Sequence, residues 1–416
     1  MNKRVFLIVL DSVGAGQAPD AAAFGDTGAD TIGSCYRSGK LHVPTLASLG
    51  LFHIDGTSFH GGECVSGSEV SGIAGGSDSA GGLDSAGGSG GPIGDYLKLS
   101  ERSAGKDTTV GHWEIAGTIT ERPLPTYPNG FPGDLIKTLE EAFGRKIICN
   151  KPYSGTEVLY DYGREQLESG ALIVYTSADS VLQIAAHEDY IPLEELYEDC
   201  RKAREIMQGE HGVGRIIARP YVGEWPNFTR TTNRHDFSLQ PPKKTVLDAA
   251  MEAGLDTIGV GKIYDIFAGK SISQTTPNEG NKINMEKTIA LADSDFSGIC
   301  FVNLVDFDMI YGHRRDVAAY TQALNDVDPQ IAELMRHMKD GDLLMITADH
   351  GCDPGFTGTD HTREYIPLLI WAKNADAFTG GKNLGIRSCF ADIAQTIAEY
   401  LGIDYQGDGE SFLSEL

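Results

Sequence analysis

Two hydrophobic periods alternate along this chain. Short, almost wholly apolar runs stand at Val5–Leu10, Leu172–Tyr175, Ile299–Val305 and Leu343–Ile346. Runs of that length and continuity predict buried strands, of the kind a parallel sheet covers on both faces. Further strands are predicted at Lys146–Cys149, Arg215–Arg219, Thr257–Lys262 and Tyr365–Trp371. Helical spacing predicts helices over Pro44–Leu49, Pro132–Phe143 with Gly144 as C-cap, Ile191–Met207, Thr245–Ala253, Met285–Ala292, Val317–Met338 and Cys389–Leu401. Pro226–Phe237 reads as a connector and the last residues as a tail. Strands alternating with helices place the chain in the α/β class.

Composition breaks this pattern twice. From Gly61 to Gly94 the chain is mostly Gly, Ser, Asp and Ala, with AGGSDSAGG and AGGLDSAGG recurring almost as a repeat. Such a stretch cannot bury enough apolar area to offset its ordering entropy, so a flexible excursion is expected. It lacks the G-x-x-x-x-G-K-[ST] pattern that cradles phosphate. Pro123, Pro125, Pro128 and Pro132 then mark a boundary. Residues 119–237 carry their own strands and helices, so they are expected to form a smaller α/β unit inserted into a discontinuous core, 1–118 and 238–416.

Charge narrows the partners. Lys+Arg number 34 and Asp+Glu 59, a net charge of −25. Nucleic acid and anionic membranes would be repelled, which leaves small molecules as the expected partners, with no obligate protein partner evident. The seven cysteines are scattered without a CxxC, as suits reduced thiols. The run Val5–Leu10 is too short for a signal-peptide core, and no segment approaches the ~20 apolar residues of a membrane span. A cytoplasmic location is expected.

Candidate chemistry gathers at strand ends. Asp11 follows the first strand; Asp308 and His313 follow Ile299–Val305; Asp349, His350 and His361 follow Leu343–Ile346. Each alone reads equally well as a capping Asp or a surface His. Three concurring strand ends suit two adjacent divalent cations, and carboxylate–imidazole sets favour Mn²⁺, Zn²⁺, Fe²⁺ or Mg²⁺-type ions. Paired metals are a standard device for in-line phosphoryl displacement. A further cluster, SAGKDTTVGHWEIAG at Ser103–Gly117, holds either a capped helix start or a nucleophile, Thr108, with Thr109 beside it.

The chain resembles the phosphopentomutases of the alkaline phosphatase superfamily, which also holds the cofactor-independent phosphoglycerate mutases. The motifs that carry the resemblance are VLDSVGAG (Val9–Gly16), SAGKDTTVGHWE (Ser103–Glu114), YTSADSVLQIAAHE (Tyr175–Glu188), NLVDFDMIYGHRRD (Asn303–Asp316) and ITADHGCDPGFTGTDHTREY (Ile346–Tyr365). The resemblance implies an alkaline-phosphatase-like core with a mainly parallel central sheet flanked by helices, and an inserted cap. It implies one Mn²⁺ on Asp11, Asp349 and His350 and a second on Asp308, His313 and His361. The family spacing to His313 selects Asp308 over Asp306. Thr108 is implied to carry a phosphoryl group, with a sugar bisphosphate as primer. Ser177, Asp179 and Arg215, with Lys262, are implied to contact a pentose phosphate. The implied reaction interconverts ribose or deoxyribose 1-phosphate and 5-phosphate. The rivals are a metal-dependent phosphatase or phosphodiesterase on the same scaffold, and a metal-binding protein without catalysis. Residues 61–94 depart from the family pattern.

Overall fold

The computed structural model describes residues 3–63, 91–177, 179–375 and 378–416. The excursion expected over Gly61–Gly94 therefore lies, for residues 64–90, outside the described residues. The chain divides into two compact units. One comprises Met1–Glu121, Pro242–Tyr264 and Ser271–Leu416; the other comprises Arg122–Pro241 and Asp265–Lys270.

In chain order the first unit contributes β1 (Arg4–Leu10) and β2 (Asp95–Leu99). The second holds β3 (Ile147–Pro152), β4 (Leu172–Thr176), β5 (Val181–His187), β6 (Arg215–Val222), β7 (Thr229–Arg230) and β8 (His235–Ser238). The first resumes with β9 (Asp256–Val260), β10 (Gln274–Thr276), β11 (Gly298–Leu304), β12 (Leu343–Thr347), β13 (Ile366–Ala372) and β14 (Asn383–Arg387).

The first unit is built on an eight-stranded sheet ordered β10-β9-β11-β1-β12-β13-β2-β14. The five strands from β10 to β12 are parallel, and β13 alone runs against its neighbours β12 and β2. β1, β11 and β12 are buried at every position, as their mainly apolar runs require. Two sets of helices pack around the sheet. In one, Asn281–Asp293 and Thr31–Arg37 lie against the long helix Val317–His337; in the other, Val246–Glu252 and Thr108–Ile115 lie against Asp392–Leu401. The mainly parallel sheet flanked by helices is thus the architecture the resemblance implied. Among the described residues no helix is long and apolar enough to cross a membrane.

The second unit is a six-stranded sheet, β3-β4-β5-β6-β7, with β8 also paired to β6. Its main core gathers Leu139, Leu182, Ile184, Cys200, Ala203 and Ile216. Two expectations fail here and at the C-terminus. Pro226–Phe237 is not merely a connector: Thr229–Arg230 and His235–Ser238 pair antiparallel with β6. Backbone ladders need no apolar side chains at a half-exposed edge, so polarity hid both strands. The C-terminal residues are not a tail either. Phe412 is fully buried, and Lys382 Nζ donates to the Leu416 carbonyl at 2.7 Å.

One buried ion pair fastens the central strands at their N-terminal ends. Arg4, first residue of β1, forks onto Asp342, which immediately precedes β12, with both side chains almost wholly buried. Its remaining nitrogen donates to the carbonyls of Ala292 and Ser294 at 3.0 and 2.9 Å. Removing one partner of such a pair strands a charge in the interior. Arg4→Met is therefore expected to lose about 3–5 kcal/mol of stability in urea unfolding. Arg4→Met combined with Asp342→Leu should lose less than the two single changes summed; a fully additive result would show that the pair is not coupled.

Candidate metal centre

Because β1 lies between β11 and β12, the C-terminal ends of three neighbouring parallel strands stand side by side. Open α/β sheets bind ligands at that edge. Asp11 follows β1 directly, and Asp349 and His350 follow β12 by two and three residues. After β11 the chain makes a wide π-helical turn, Phe307–Gly312. That turn carries Asp308 and folds His313 back over it, so His313 Nε2 lies 3.3 Å from Asp308 Oδ2. His361 arrives from the loop after β12, its Nε2 3.2 Å from Asp308 Oδ1 and 3.2 Å from His313 Nε2. His350 Nε2 sits 3.4 Å from both Asp11 Oδ1 and Asp349 Oδ2.

The imidazoles are oriented from behind. Nδ1 of His350 faces the Gly351 carbonyl at 3.0 Å, that of His313 the Thr359 carbonyl at 2.7 Å, and that of His361 the Lys106 carbonyl at 3.0 Å. A carbonyl only accepts, so each Nδ1 carries a proton and each Nε2 is the nitrogen that faces the carboxylates. Ser12, held at φ 69°, donates its backbone N–H to Asp349 Oδ1 at 2.9 Å. Arg315 ties the His313 turn to the His361 loop, donating to the carbonyls of Asp353, Gly358 and Asp360.

Thr108 opens the helix Thr108–Ile115, and Asp107 caps it by accepting from Thr109 N and Val110 N at 3.0 and 3.1 Å. The cap and the candidate nucleophile are thus neighbouring residues, not competing readings. Thr108 Oγ1 lies 3.2 Å from His350 Nε2. The helix comes this close because of Gly111: a Cβ there would stand 2.2 Å from the Asp349 carbonyl oxygen.

The amino-acid sequence has full-length relatives. The phosphopentomutase of Lachnoclostridium phytofermentans is 50% identical over 413 residues, 99% of each chain. That of Acetivibrio thermocellus is 49% identical over the whole of both chains, and that of Caldanaerobacter subterraneus subsp. tengcongensis 49% over 100% of this chain and 98% of its own. The metalloenzyme superfamily model matches residues 3–405.

This chain belongs to the phosphopentomutase family.

It is accordingly an intramolecular phosphotransferase of the isomerase class. A metalloenzyme needs a place for its metal, and the donor set fits divalent cations. Asp11 Oδ1, Asp308 Oδ1 and Asp349 Oδ2 are buried and have no hydrogen-bond partner among the described residues. Two groups, Asp11–Asp349–His350 and Asp308–His350–His361, each bring their ligand atoms within 4.8 Å of one another. Burial, then the Asp349 charge, pushes the Asp11 carboxyl up. Burial opposes ionisation of Asp308 as well, but the surrounding imidazoles, His361 foremost, outweigh it and hold that carboxyl well below its usual range. The hydrogen bond to Asp308 raises His313 to about 9. Cys352 also comes within reach of Asp308 and His313, but burial pushes its thiol up and keeps it a poor ligand.

The candidates on the second unit also meet. Arg215 Nη2 lies 3.7 Å from Asp179 Oδ2, and Asp179 N donates to Ser177 Oγ at 3.3 Å. The ladder explains it: Val181 pairs with Arg215, just past the turn carrying Ser177 and Asp179. Lys262 lies beyond the end of β9, its Nζ 3.9 Å from Sδ of Met309, which neighbours Asp308. Asp306, the rival to Asp308, accepts from Asn281 N at 2.7 Å and so serves as a structural acceptor.

Sequence reasoning passed over Arg315 and Asn303. Nothing separates Arg315 from the adjacent Arg314 by pattern. Asn303 did leave a trace, as the one polar residue in the apolar run of β11.

Added Mn²⁺ should raise the melting temperature of the metal-free protein by calorimetry, with about 2.7 kcal/mol of stabilisation at a hundredfold excess over Kd. Asp349→Asn should lose most of that gain. An unchanged wild-type melting temperature would rule out a cation at this cluster.

Proposed function

We propose that this enzyme interconverts ribose or deoxyribose 1-phosphate and 5-phosphate by way of a phosphorylated Thr108 and a pentose bisphosphate. The observation that carries the reading is Thr108 Oγ1 beside His350 Nε2, at the border of a cluster of three buried carboxylates and three imidazoles. Asp11, Asp349 and His350 would hold one Mn²⁺, and Asp308, His313 and His361 the other. When bound, the ions supply positive charge for the phosphoryl group in transfer and lower the pKa of the threonine hydroxyl.

The chain's own residues supply position. Asp107 fixes the first turn of the helix, so Thr108 sits where the helix dipole favours a phosphoryl group's negative charge. A free hydroxyl of the pentose monophosphate attacks phosphorus; the bond from phosphorus to Thr108 Oγ1 breaks, and the hydroxyl's proton is made up on Oγ1. The bisphosphate then returns its other phosphoryl group to Thr108, and the product hydroxyl regains the proton. On the second unit, Arg215 offers a guanidinium suited to a phosphate, and Ser177 and Asp179 offer partners for sugar hydroxyls.

Phosphorus NMR tests the reaction. With Mn²⁺, ribose 1-phosphate and a trace of sugar bisphosphate as primer, ribose 5-phosphate should accumulate with little inorganic phosphate. Steady growth of inorganic phosphate would instead identify a phosphatase. Thr108→Ala should cut the conversion on the order of 10³-fold or more, because the carrier atom is gone. Asp179→Ala should remove mutase activity and spare hydrolysis of a small aryl phosphate; retained mutase activity would refute the substrate role of Asp179.

A further inference from the structure

Behind Asp11 and Asp349 lie two fully buried polar residues that the proposed reaction does not use, His112 and Asn303. His112 sits one helical turn after Thr108, and its side chain leans back toward the helix start. Its ring stacks on Phe301 of β11, centroids 5.7 Å apart and planes 26° apart. Asn303, two residues further along β11, shares that face of the strand.

The hydrogen bonds between them have only one consistent direction. Asn303 Nδ2 donates to Asp11 Oδ2 at 2.7 Å and lies 3.3 Å from His112 Nε2. Were the amide turned over, its oxygen would face a carboxylate oxygen at 2.7 Å, a repulsive contact. Both Nδ2 protons are therefore committed, one to Asp11 and one to His112 Nε2. His112 must then carry its own proton on Nδ1. That nitrogen lies 2.8 Å from the Thr108 carbonyl and 3.1 Å from Asp349 Oδ2. The proton is aligned on the carbonyl. Asp349 Oδ2 meets it mainly as an electrostatic contact.

We propose that His112 and Asn303 are positioning residues that join Asp11 and Asp349 to the backbone turn bearing Thr108, so that the cation's ligands and the phosphoryl carrier are set by one hydrogen-bonded chain. The chain runs Asp11, Asn303, His112, Thr108 carbonyl, with Asp349 alongside. It spans β11, the helix Thr108–Ile115 and the end of β1. No water is needed along it, since every link is direct. Asn303 Oδ1 has no hydrogen-bond partner among the described residues, so these hold the amide from its nitrogen side. An unpaired buried acceptor is costly, and its retention here is accounted for by the two donors on the other side.

The inference rests on the functional reading only in taking Asp11 and Asp349 as cation ligands and Thr108 as the carrier. The test uses the full-length protein and variants His112→Leu, His112→Asn and Asn303→Leu. Free Mn²⁺ is followed by electron paramagnetic resonance during titration, melting is recorded in EDTA, and mutase kinetics are measured separately. His112→Leu and Asn303→Leu should weaken Mn²⁺ binding by about 10–100-fold at one of two sites, the usual effect of removing a group that orients a ligand. Their kcat should fall while KM changes little, because the substrate candidates are untouched. His112→Asn, which restores a donor where Nδ1 stands, should recover part of the Mn²⁺ affinity. A purely structural role would lower melting in EDTA and leave the Mn²⁺ affinity of the folded variants alone; that result would overturn the proposal. So would wild-type affinity and kcat in both leucine variants. Wild-type protein that binds two Mn²⁺ tightly but turns over no pentose phosphate would refute the functional reading while leaving the affinity comparison intact.

Discussion

Three carboxylates placed side by side out of water repel one another. Two unit charges 4 Å apart interact by about 4 kcal/mol at an effective dielectric of 20, and burial makes each harder to ionise. Asp11, Asp308 and Asp349 meet this condition because their strands are neighbours that end together. Much of the surrounding structure answers it. Three imidazoles turn inward, Ser12 lends an amide from a strained backbone, and Asn303 lends its side-chain nitrogen. Even so, one oxygen of each of these carboxylates finds no hydrogen bond among the described residues. The same electrostatic demand that threatens the fold is what draws a cation to it.

Around that cluster, segments distant in sequence are bound to one another by buried polar contacts. Arg363, two residues beyond His361, is almost fully buried and donates to Glu101 and to the Gly105 carbonyl, just ahead of Thr108. Glu114, at the far end of the helix Thr108–Ile115, accepts from the backbone of Arg102, Ser103 and Phe390. The segment carrying Thr108 is therefore held on both sides by buried charged groups.

The strands that carry the cluster were legible because burial on both faces leaves an almost wholly apolar run, and the Asp and His residues shortly after each run stood out. The inserted unit was harder. Val181–His187 is wholly buried yet interrupted by Gln183, and the helix Glu157–Ser169 keeps only four residues inside, so neither declared its period. Contacts between remote segments were beyond any local pattern. Thr108 and His350 are 242 residues apart, and only the folded sheet makes them neighbours. The π-helical turn at Phe307–Gly312 likewise left no trace beyond the spacing from Asp308 to His313.

β1 and β12 are fastened at one end by Arg4 and Asp342 and bear Asp11, Asp349 and His350 at the other. Strands of five and seven residues put roughly 17–23 Å between the two ends. The fastening and the chemistry thus occupy opposite poles of the same few strands, with inert hydrocarbon between. A lineage could retune its heat tolerance at one pole while the other stays unaltered, and the two histories would be written in different residues.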